Sequence, residues 1–434
     1  MRNLLFIGHV FHQKTKSSDF LLEQLRCSFN VTELYLEPQE LPIGQISSMK
    51  TSRFDVLVVW QIMPEIPVLK RFLAWDYGAF FPMYDHFLAT GELYPMTWKH
   101  YADFIIICFS KKLHEVLKAS GFDSKYIQYF PKPKKIEEWG NEKSLFFWQR
   151  KDVPNLQMLM SFAKPLQLQH IHIHQVPDPG FYSEPYSTEL TGFHITSTQW
   201  FKKKEEMFCE MGKSAYYMAP RLYEGIGLSF LDAMSMGRCV IAPDTPTMNE
   251  YIVNGENGFL YPWDDGCHED IQLTIPHHTL REMQTNAYHT IEQGYKEWMD
   301  NRQKIVDWCL QKPCPNAERI KESSMAYGWN DDISHEPCSK VTQLMFALYI
   351  PEMKYVAQKL LGFHWRNLLH FFIVHLSSRF NRKWYIDHYS NSLKSGVAPA
   401  SHYLQRGWKE GKNPSPSFFT NLYIKNHPEI MKTD

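Results

Sequence analysis

Two acidic residues in a glycine-containing segment are the residues of this sequence best suited to ligand chemistry. The segment 220–237 reads PRLYEGIGLSFLDAMSMG, so Glu224 precedes Gly225 and Gly227, and Asp232 follows eight positions after Glu224. Glycine lets backbone N–H groups approach a ligand, and a helix N-terminus adds unpaired N–H groups and a positive dipole end. Carboxylates only accept hydrogen bonds, which suits hexose and ribose hydroxyl groups. The glycine segment and the helix start together suit a diphosphate or an electron-rich sugar oxygen.

The same residues have a structural alternative. Ser229 and Asp232 have the spacing of a partial capping box, in which Asp232 only ties down the start of a helix. Gly225 and Gly227 are also compatible with an ordinary turn, because a lone GxG pattern is weakly specific.

Apolar runs that alternate with helical patterns must position these residues. The predicted strands are 3–8, 30–36, 54–60, 104–109 and 126–130, and, after a polar segment at 132–143, they are 144–148, 167–174, 214–218 and 239–242. The predicted helices are 17–26, 111–120, 156–164, 200–211, 228–236 and 281–310. Strands that alternate with helices predict parallel sheets covered on both faces. The sequence therefore predicts an α/β protein made of two successive halves.

The run 220–261 as a whole resembles the signature of a large group of retaining GT-B glycosyltransferases, glycosyl transferases group 1 (family 4-like). That signature reads EGFGLPxLEAMAxGxPVIA, then an acidic residue, then xxGxNGxL; here it is EGIGLSFLDAMSMGRCVIA, Asp244 and NGENGFL. The resemblance implies a GT-B fold, with two Rossmann-like domains facing a cleft. The acceptor domain would span 1–135 and the nucleotide-sugar-binding domain 136–320.

The resemblance also assigns roles to residues of this run. Glu224 would face the donor sugar, and Asp232 would bind the ribose, although most members carry Glu at that position. The remaining implied donor contacts are backbone groups of the glycine segment and polar side chains near the nucleotide: Gly225, Ile226, Gly227, Leu228, Thr247, Asn249 and Glu250.

The positive charge for the diphosphate is expected at the start of the second half. The family has Gly-Arg after the first strand of this half and a lysine about five residues later. Arg150 matches the arginine, Asn155 stands at the lysine position, and Lys151 lies beside Arg150. Arg221 stands where relatives often carry Ser and is a further candidate. Guanidinium groups would stabilise a leaving diphosphate without a metal; the alternative is a pair of solvated basic residues at a strand end.

The first half contributes weaker candidates. The segment 8–18 follows the first strand, where open α/β sheets bind ligands, and we expect a loop there with Gly8, His12 and Thr15 as candidates. The alternative is a polar loop without a ligand. Asp85 and His86 are candidates for a contact with the acceptor hydroxyl or the donor sugar, and for proton removal.

Metal and cofactor sites are not expected. His170, His172 and His174 alternate along one predicted strand, but successive members lie roughly 7 Å apart, which disfavours a shared ion. The donor, a nucleoside-diphosphate sugar, is then a substrate and no cofactor is implied.

The last hundred residues differ in character. We expect 321–378 to be a helical connection that packs back on the first half or touches a membrane surface. Residues 380–388 and 418–426 form a weak repeat, and 379–434 resembles a small module, YLxxYPDVxxxGxxPLxHYLxxGWxEGRxPxP, appended to bacterial surface-polysaccharide glycosyltransferases. The tail is predicted to be small and mostly helical.

Composition narrows the function classes. A net charge of −1 argues against nucleic acid as a partner, and eight scattered cysteines are typical of reduced thiols in the cytoplasm. The longest uncharged apolar run, between Arg366 and Arg379, is shorter than the roughly 18 residues of a membrane span. We expect a cytoplasmic glycosyltransferase acting on a glycan or lipid-linked glycan, with peripheral membrane contact or a polysaccharide synthesis complex as options. Two alternatives stay open: a non-catalytic sugar- or nucleotide-binding scaffold, and a GT-B enzyme of another reaction.

Overall fold

The structure of the chain is a computed structural model, and it describes most of residues 1–320. The described residues are 1–36, 53–64, 66–87, 98–151, 153–178, 192–263, 279–320, 385, 388–389, 402–410 and 412–413. The chain divides into two compact units, Met1–Trp329 and Asn330–Asp434. The candidate residues of the previous section all belong to the first unit.

The first half of the larger unit is built on a six-stranded sheet. Its strands are β1 Arg2–His9, β2 Phe29–Leu36, β3 Arg53–Trp60, β4 Ala74–Phe81, β5 Ile105–Cys108 and β6 Ser124–Tyr126. All are parallel, in the order β2-β1-β3-β4-β5-β6. The helices are α1 Val10–Thr15, α2 Asp19–Arg26, α3 Ile66–Leu69, α4 Tyr84–Phe87 and α5 Lys111–Ala119, with a 3-10 turn at Lys99–Tyr101. Because apolar side chains cover both faces of β3 and β5, the sheet is buried on both sides.

The second half repeats this plan. Its strands are β7 Asn141–Gln149, β8 His170–Gln175, β9 His194–Thr198, β10 Ser214–Met218, β11 Cys239–Pro243 and β12 Gly258–Tyr261. They are parallel in the order β12-β11-β10-β7-β8-β9. The helices are α6 Leu156–Ala163, α7 Lys204–Gly212 and α8 Leu228–Met234, with a 3-10 turn at Met248–Glu250. Chain order reverses between β7 and β10, and ligands of such sheets bind outside the strand ends at this reversal.

The chain then returns from the second half to the first. Helix α9 spans Leu280–Asn301, and α10, Gln303–Cys309, packs against α2, β4 and β5. Beyond α10, the N–H of Asn316 donates to the carbonyl of Gly121 at 2.7 Å. Residues 303–320 therefore contact the first half, whereas the predicted second domain, 136–320, includes them. The helices expected in 341–376 lie outside the described residues.

The prediction of an α/β protein with two successive halves is confirmed, because the larger unit contains two six-stranded Rossmann-like parallel sheets. Three local predictions were wrong. The strand expected at 126–130 is β6 at Ser124–Tyr126, and residues 127–130 are not in a strand. The segment 8–18 is not simply a loop, because Val10–Thr15 forms α1 with His9 as its N-cap. The predicted helix 281–310 is two helices that meet at Arg302.

The described part of the C-terminal unit contains most of the residues of the repeat-like motif. The hydroxyl of Tyr385 lies 2.9 Å from Nδ1 of His402, and both side chains are buried. A π-helical turn covers Tyr403–Gly407, and a Cβ atom on Gly407 would lie 2.2 Å from the Tyr385 hydroxyl. The described motif residues His402 and Gly407 thus pack against the aromatic ring of Tyr385. Across the residues that could be searched, no helix has the length and apolarity to cross a membrane.

Candidate functional site

The reversal point of the second sheet brings the predicted donor residues together. Arg150 directly follows β7, and the segment 220–227 links β10 to α8. Asp178 follows β8, the strand beside β7, and its N–H donates to the Arg150 carbonyl at 2.8 Å. Parallel strands place all three strand ends on one edge of the sheet, which is where open α/β sheets bind ligands.

Ion pairs join these strand ends to the first half. Arg150 donates through Nε and Nη2 to Oδ1 of Asp178, at 2.9 and 2.6 Å. Arg221 donates through Nη2 to Oδ2 of Asp178 and through Nη1 to Oδ2 of Asp85, at 2.5 and 3.0 Å. Nη1 of Arg221 also lies 3.9 Å from Oε2 of Glu224. We call Asp85, Arg150, Asp178, Arg221 and Glu224 the charge cluster; Asp85, on α4, comes from the first half.

Burial and neighbouring charges set the pKa values of this cluster. Burial raises the pKa of the Glu224 carboxyl, while the Arg221 guanidinium acts in the opposite direction. For Asp178, burial would raise the pKa, but Arg221 and Arg150 together hold it below its usual value. Burial and the charge of Arg221 lower the pKa of the Lys151 ammonium, which senses the same carboxylates. The sequence candidates Arg150, Lys151, Arg221, Glu224 and Asp85 therefore share one electrostatic environment.

Three polar atoms of the charge cluster are buried without a hydrogen-bond partner among the described residues. They are Oε1 of Glu224, Oδ1 of Asp85 and Nε of Arg221. Buried polar atoms in folded proteins are nearly always hydrogen-bonded, so a cluster of such atoms suits a polar ligand. Two acceptors beside one donor match a ligand that has both hydroxyl and phosphate groups.

The backbone of the glycine segment packs closely against neighbouring residues at both Gly225 and Gly227. A Cβ atom on Gly225 would lie 2.7 Å from Cβ of Met83 and 2.9 Å from Oδ1 of Asp85. Gly227 has φ +81° at the N-cap of α8, and a Cβ atom there would lie 1.9 Å from the Phe230 ring. A side chain at position 225 would therefore clash with Met83 and Asp85, and one at position 227 would clash with Phe230 and also strain the backbone.

The neighbours of the glycine segment are packed rather than exposed. Ile226 is buried in the core, and Leu228 packs against it, so their backbone groups are the parts available to a ligand. Thr247 is fully buried, and its hydroxyl donates to the carbonyl of Glu224 at 2.7 Å. Thr247 therefore supports the segment that carries Glu224.

Asp232 does not cap the helix. The N-cap of α8 is Gly227, without a side-chain cap, and Oδ2 of Asp232 lies 2.9 Å from Nζ of Lys204 at the start of α7. The capping alternative for Asp232 was therefore wrong. Its contact with a ribose stays a prediction, and a ribose would have to share the carboxylate with Lys204.

Glu250 makes contacts that the sequence did not predict. Its carboxylate accepts from the Ser110 hydroxyl at 2.9 Å and from the N–H groups of Lys111 and Lys112 at 2.7 and 3.1 Å, at the N-terminus of α5. Glu250 thus joins the second half to the first, and a nucleotide contact would require this joint to open. Asn249 is exposed and donates to Asp244.

The first-half candidates other than Asp85 lie within their own local structure. Nδ1 of buried His12 accepts the N–H of His9 at 3.2 Å, and burial and His9 lower the pKa of His12 to about 4. The hydroxyl of Thr15 lies 3.2 Å from the carbonyl of Phe11 inside α1. Gly8 is the residue before the last one of β1, and a Cβ atom on it would lie 3.5 Å from Nδ1 of His12. The backbone of His86 lies in α4, and its side chain is outside the described residues.

Other polar residues of the second half have structural partners. Oδ1 of Asn155 accepts the N–H of Met158 at 3.0 Å and caps α6, which accounts for Asn at the lysine position of the family. The ring nitrogens of His172 lie 2.9 Å from the hydroxyls of Thr196 and Thr198. No group of three candidate metal ligands is found among the residues that could be searched.

Asp178 is the member of the charge cluster that sequence reasoning missed. It is 7% exposed and is the acidic residue that joins both arginines. The available signal was its position, because an acidic residue shortly after a predicted parallel strand belongs to the ligand-binding edge of the sheet.

Comparisons with known proteins found similarity in the second half of the larger unit. Residues 151–272 match the model of the family described as "Glycosyl transferases group 1". A search of curated proteins gave no match.

Similar solved structures include the pneumococcal O-GlcNAc transferase GtfA in complex with UDP and GlcNAc, with 14% identity over 64% of this chain and 61% of that one, and a TM-score of 0.46. TarM is similar at 12% identity over 59% and 57% of the two chains, with a TM-score of 0.41. A sucrose-phosphate synthase from Thermosynechococcus elongatus is similar at 11% identity over 70% and 100%, with a TM-score of 0.48. The chain thus spans about three fifths of the length of the first two. The residues 151–272 that match the family model include Asp178, Arg221 and Glu224.

Proposed function

We propose that this protein is a glycosyltransferase that moves a sugar from a nucleoside-diphosphate sugar to a hydroxyl of a glycan or lipid-linked glycan. The observation that carries the proposal is the charge cluster at the reversal point of a glycosyl transferases group 1 domain, with Glu224 and two arginines on one sheet edge. Fold alone would not support a function, because many unrelated activities share Rossmann-like sheets.

Each group of the cluster has a role in this reaction. Arg150 and Arg221 neutralise the diphosphate, whose negative charge grows as the bond to the sugar breaks, so we propose transfer without a metal ion. Glu224 accepts hydrogen bonds from hydroxyl groups of the donor sugar through Oε1, which has no partner among the described residues. Asp85, from the first half, is the proposed contact for the acceptor hydroxyl.

The remaining details of the proposal rest on the family resemblance. We propose retention of configuration at the transferred sugar, and bacterial surface polysaccharide as the product, because the motif of 379–434 resembles a module appended to such enzymes. We also propose that the protein is cytoplasmic with peripheral membrane contact, and that it belongs to a polysaccharide synthesis complex.

Turnover with a panel of nucleotide sugars, including UDP-glucose and UDP-N-acetylglucosamine, tests the proposal. We expect donor consumption by the wild-type protein, and a fall in kcat of about 100-fold in Glu224→Gln, because the amide lacks the negative charge and one of the two acceptor oxygens of the carboxylate. Arg150→Ala should lose a similar amount. The matched control is Glu256→Gln, an exposed glutamate of the same half, which should keep wild-type activity.

The two ways of failing are distinct. If the wild-type protein neither binds nor consumes any member of the panel, the glycosyltransferase proposal is wrong. If Glu224→Gln retains full activity, the class stands and the assigned site is wrong. Binding without turnover would support the alternative of a non-catalytic scaffold.

A further inference from the structure

Asp178 connects the two arginines of the charge cluster. Its Oδ1 accepts two hydrogen bonds from Arg150, and its Oδ2 accepts one from Arg221. Its N–H donates to the Arg150 carbonyl at 2.8 Å, so its backbone is fixed to the same strand end. The spacing between the two guanidinium groups is therefore set through this one carboxylate.

Each guanidinium group is also held from a second side. The Arg150 guanidinium lies over the Trp148 ring, 4.7 Å from its centroid, and Arg221 donates to Asp85. Nε of Arg221 has no partner among the described residues, and no described residue accepts from Nη1 of Arg150. Each arginine thus keeps donors for a ligand while its remaining donors fix its orientation.

We propose that Asp178 is a positioning residue that sets the spacing and orientation of Arg150 and Arg221 for the diphosphate of the donor. This inference rests on the proposed function. The charge of the leaving diphosphate grows only as the bond to the sugar breaks, and two guanidinium groups held at a fixed distance stabilise that transition state better than two mobile ones. Reacting groups held in place lower the barrier, and a misplacement of about 1 Å can cost roughly 100-fold in rate.

The charge of Asp178 gives this role a diagnostic signature. Its carboxylate repels a diphosphate, so loss of the charge should strengthen binding of the anion. Loss of the same carboxylate should misalign the arginines and slow turnover. A residue that only stabilises the fold would change binding and turnover in the same direction.

The experiment uses the full chain and two measurements. We expect Asp178→Asn to bind inorganic pyrophosphate several-fold more tightly by calorimetry, while kcat with the donor found in the panel falls about 10- to 100-fold. Asp178→Glu keeps the charge and moves the carboxylate, so it should lower kcat while pyrophosphate binding is not tightened; it also serves if Asp178→Asn fails to fold. Asp307→Asn, on an exposed part of α10, is the control and should match the wild type in both measurements.

The inference is overturned if kcat of Asp178→Asn equals that of the wild type, or if pyrophosphate binding weakens together with kcat. Those results would leave the glycosyltransferase proposal intact, because the wild-type protein would still be active. Absence of wild-type binding and turnover would instead reject the proposed function and this inference with it.

Discussion

At the residue scale, Arg221 shows how a buried cation is compensated in this protein. Its neighbours Glu224, Asp85 and Asp178 outweigh the effect of burial and raise the pKa of its guanidinium. Removing a charge from water costs several kcal/mol unless close partners replace the solvent. Arg221 has three acidic neighbours, and one of them, Asp85, belongs to the other half of the larger unit.

We predict that the protein loses stability in mild acid because two of its histidines are buried. Burial lowers the pKa of His12 to about 4, with His9 adding to the effect, and burial lowers that of His174 to about 4, with His172 and Arg150 adding to it. The unfolded chain takes up these protons near pH 6.5, whereas the folded chain does so only near pH 4. The contribution of each neutral histidine to the free energy of unfolding is therefore complete above pH 6.5. It is lost as the pH falls to 4, and the loss is up to about 3 kcal/mol for each histidine.

Urea unfolding at pH 7.5, 6 and 5 measures this dependence. His174→Gln should show a shallower decline than the wild-type protein, because one of the two groups no longer titrates. Unfolding free energies of the wild type that stay constant from pH 7.5 to 5 would contradict the assignment.

At the scale of elements, Glu250 links the 3-10 turn of the second half to α5 of the first. A carboxylate at a helix N-terminus accepts unpaired N–H groups and faces the positive end of the helix dipole. We expect Glu250→Ala to lower the free energy of unfolding by about 1–2 kcal/mol, and Glu250→Gln by less, because the amide oxygen still accepts hydrogen bonds.

Urea unfolding at low salt and in 0.5 M salt measures this effect. The charge-dependent part of the loss should shrink in salt, since screening weakens an interaction that is partly exposed. Glu256→Ala, an exposed glutamate of the same half, should change stability by less than about 0.5 kcal/mol. Equal stability of Glu250→Ala and the wild type would show that the joint contributes nothing.

The elements also show what the sequence could predict. Strands β3 and β5 are continuous apolar, β-branched runs, and such runs are specific for buried parallel strands. Strand β4 was missed because Asp76, Tyr77 and Gly78 interrupt its apolar pattern; a Cβ atom on Gly78 would lie 2.7 Å from the Phe104 ring, so close packing requires the glycine. Strand β9 was missed because it is a half-exposed strand at the end of the sheet, with a polar sequence.

The site was predictable to the extent that it is local in sequence. Glu224 and Arg150 lie at strand ends that the pattern locates, and the structure brings them into one cluster. The partners of Arg221 and Glu250 were not predictable, because Asp85 and the N-terminus of α5 belong to the other half of the molecule. Contacts across more than a hundred residues depend on how two separately folded sheets meet.

At the scale of the larger unit, an aromatic cluster joins the two halves through α9. Trp298 lies on this helix and is 5% exposed. Its ring centroid is 5.1 Å from that of Tyr129, 5.9 Å from that of Phe20 and 6.4 Å from that of Phe109, and Phe20 and Phe109 belong to the first half. Trp298 therefore attaches α9 to the first half, at a point in the chain just before α10 packs against the first sheet.

We expect Trp298→Ala to lower the free energy of unfolding by about 3–5 kcal/mol, because it removes a large aromatic side chain from a packed interface and leaves a cavity. Urea unfolding followed by circular dichroism measures the loss. The adjacent Met299 is 38% exposed, so Met299→Ala is the matched control and should cost less than about 0.5 kcal/mol. Since the charge cluster also needs both halves, Trp298→Ala should weaken pyrophosphate binding at temperatures where it remains folded. A Trp298→Ala protein as stable as Met299→Ala would mean that the halves are held together by the remaining contacts of α10 and 310–320, and that the aromatic cluster is dispensable.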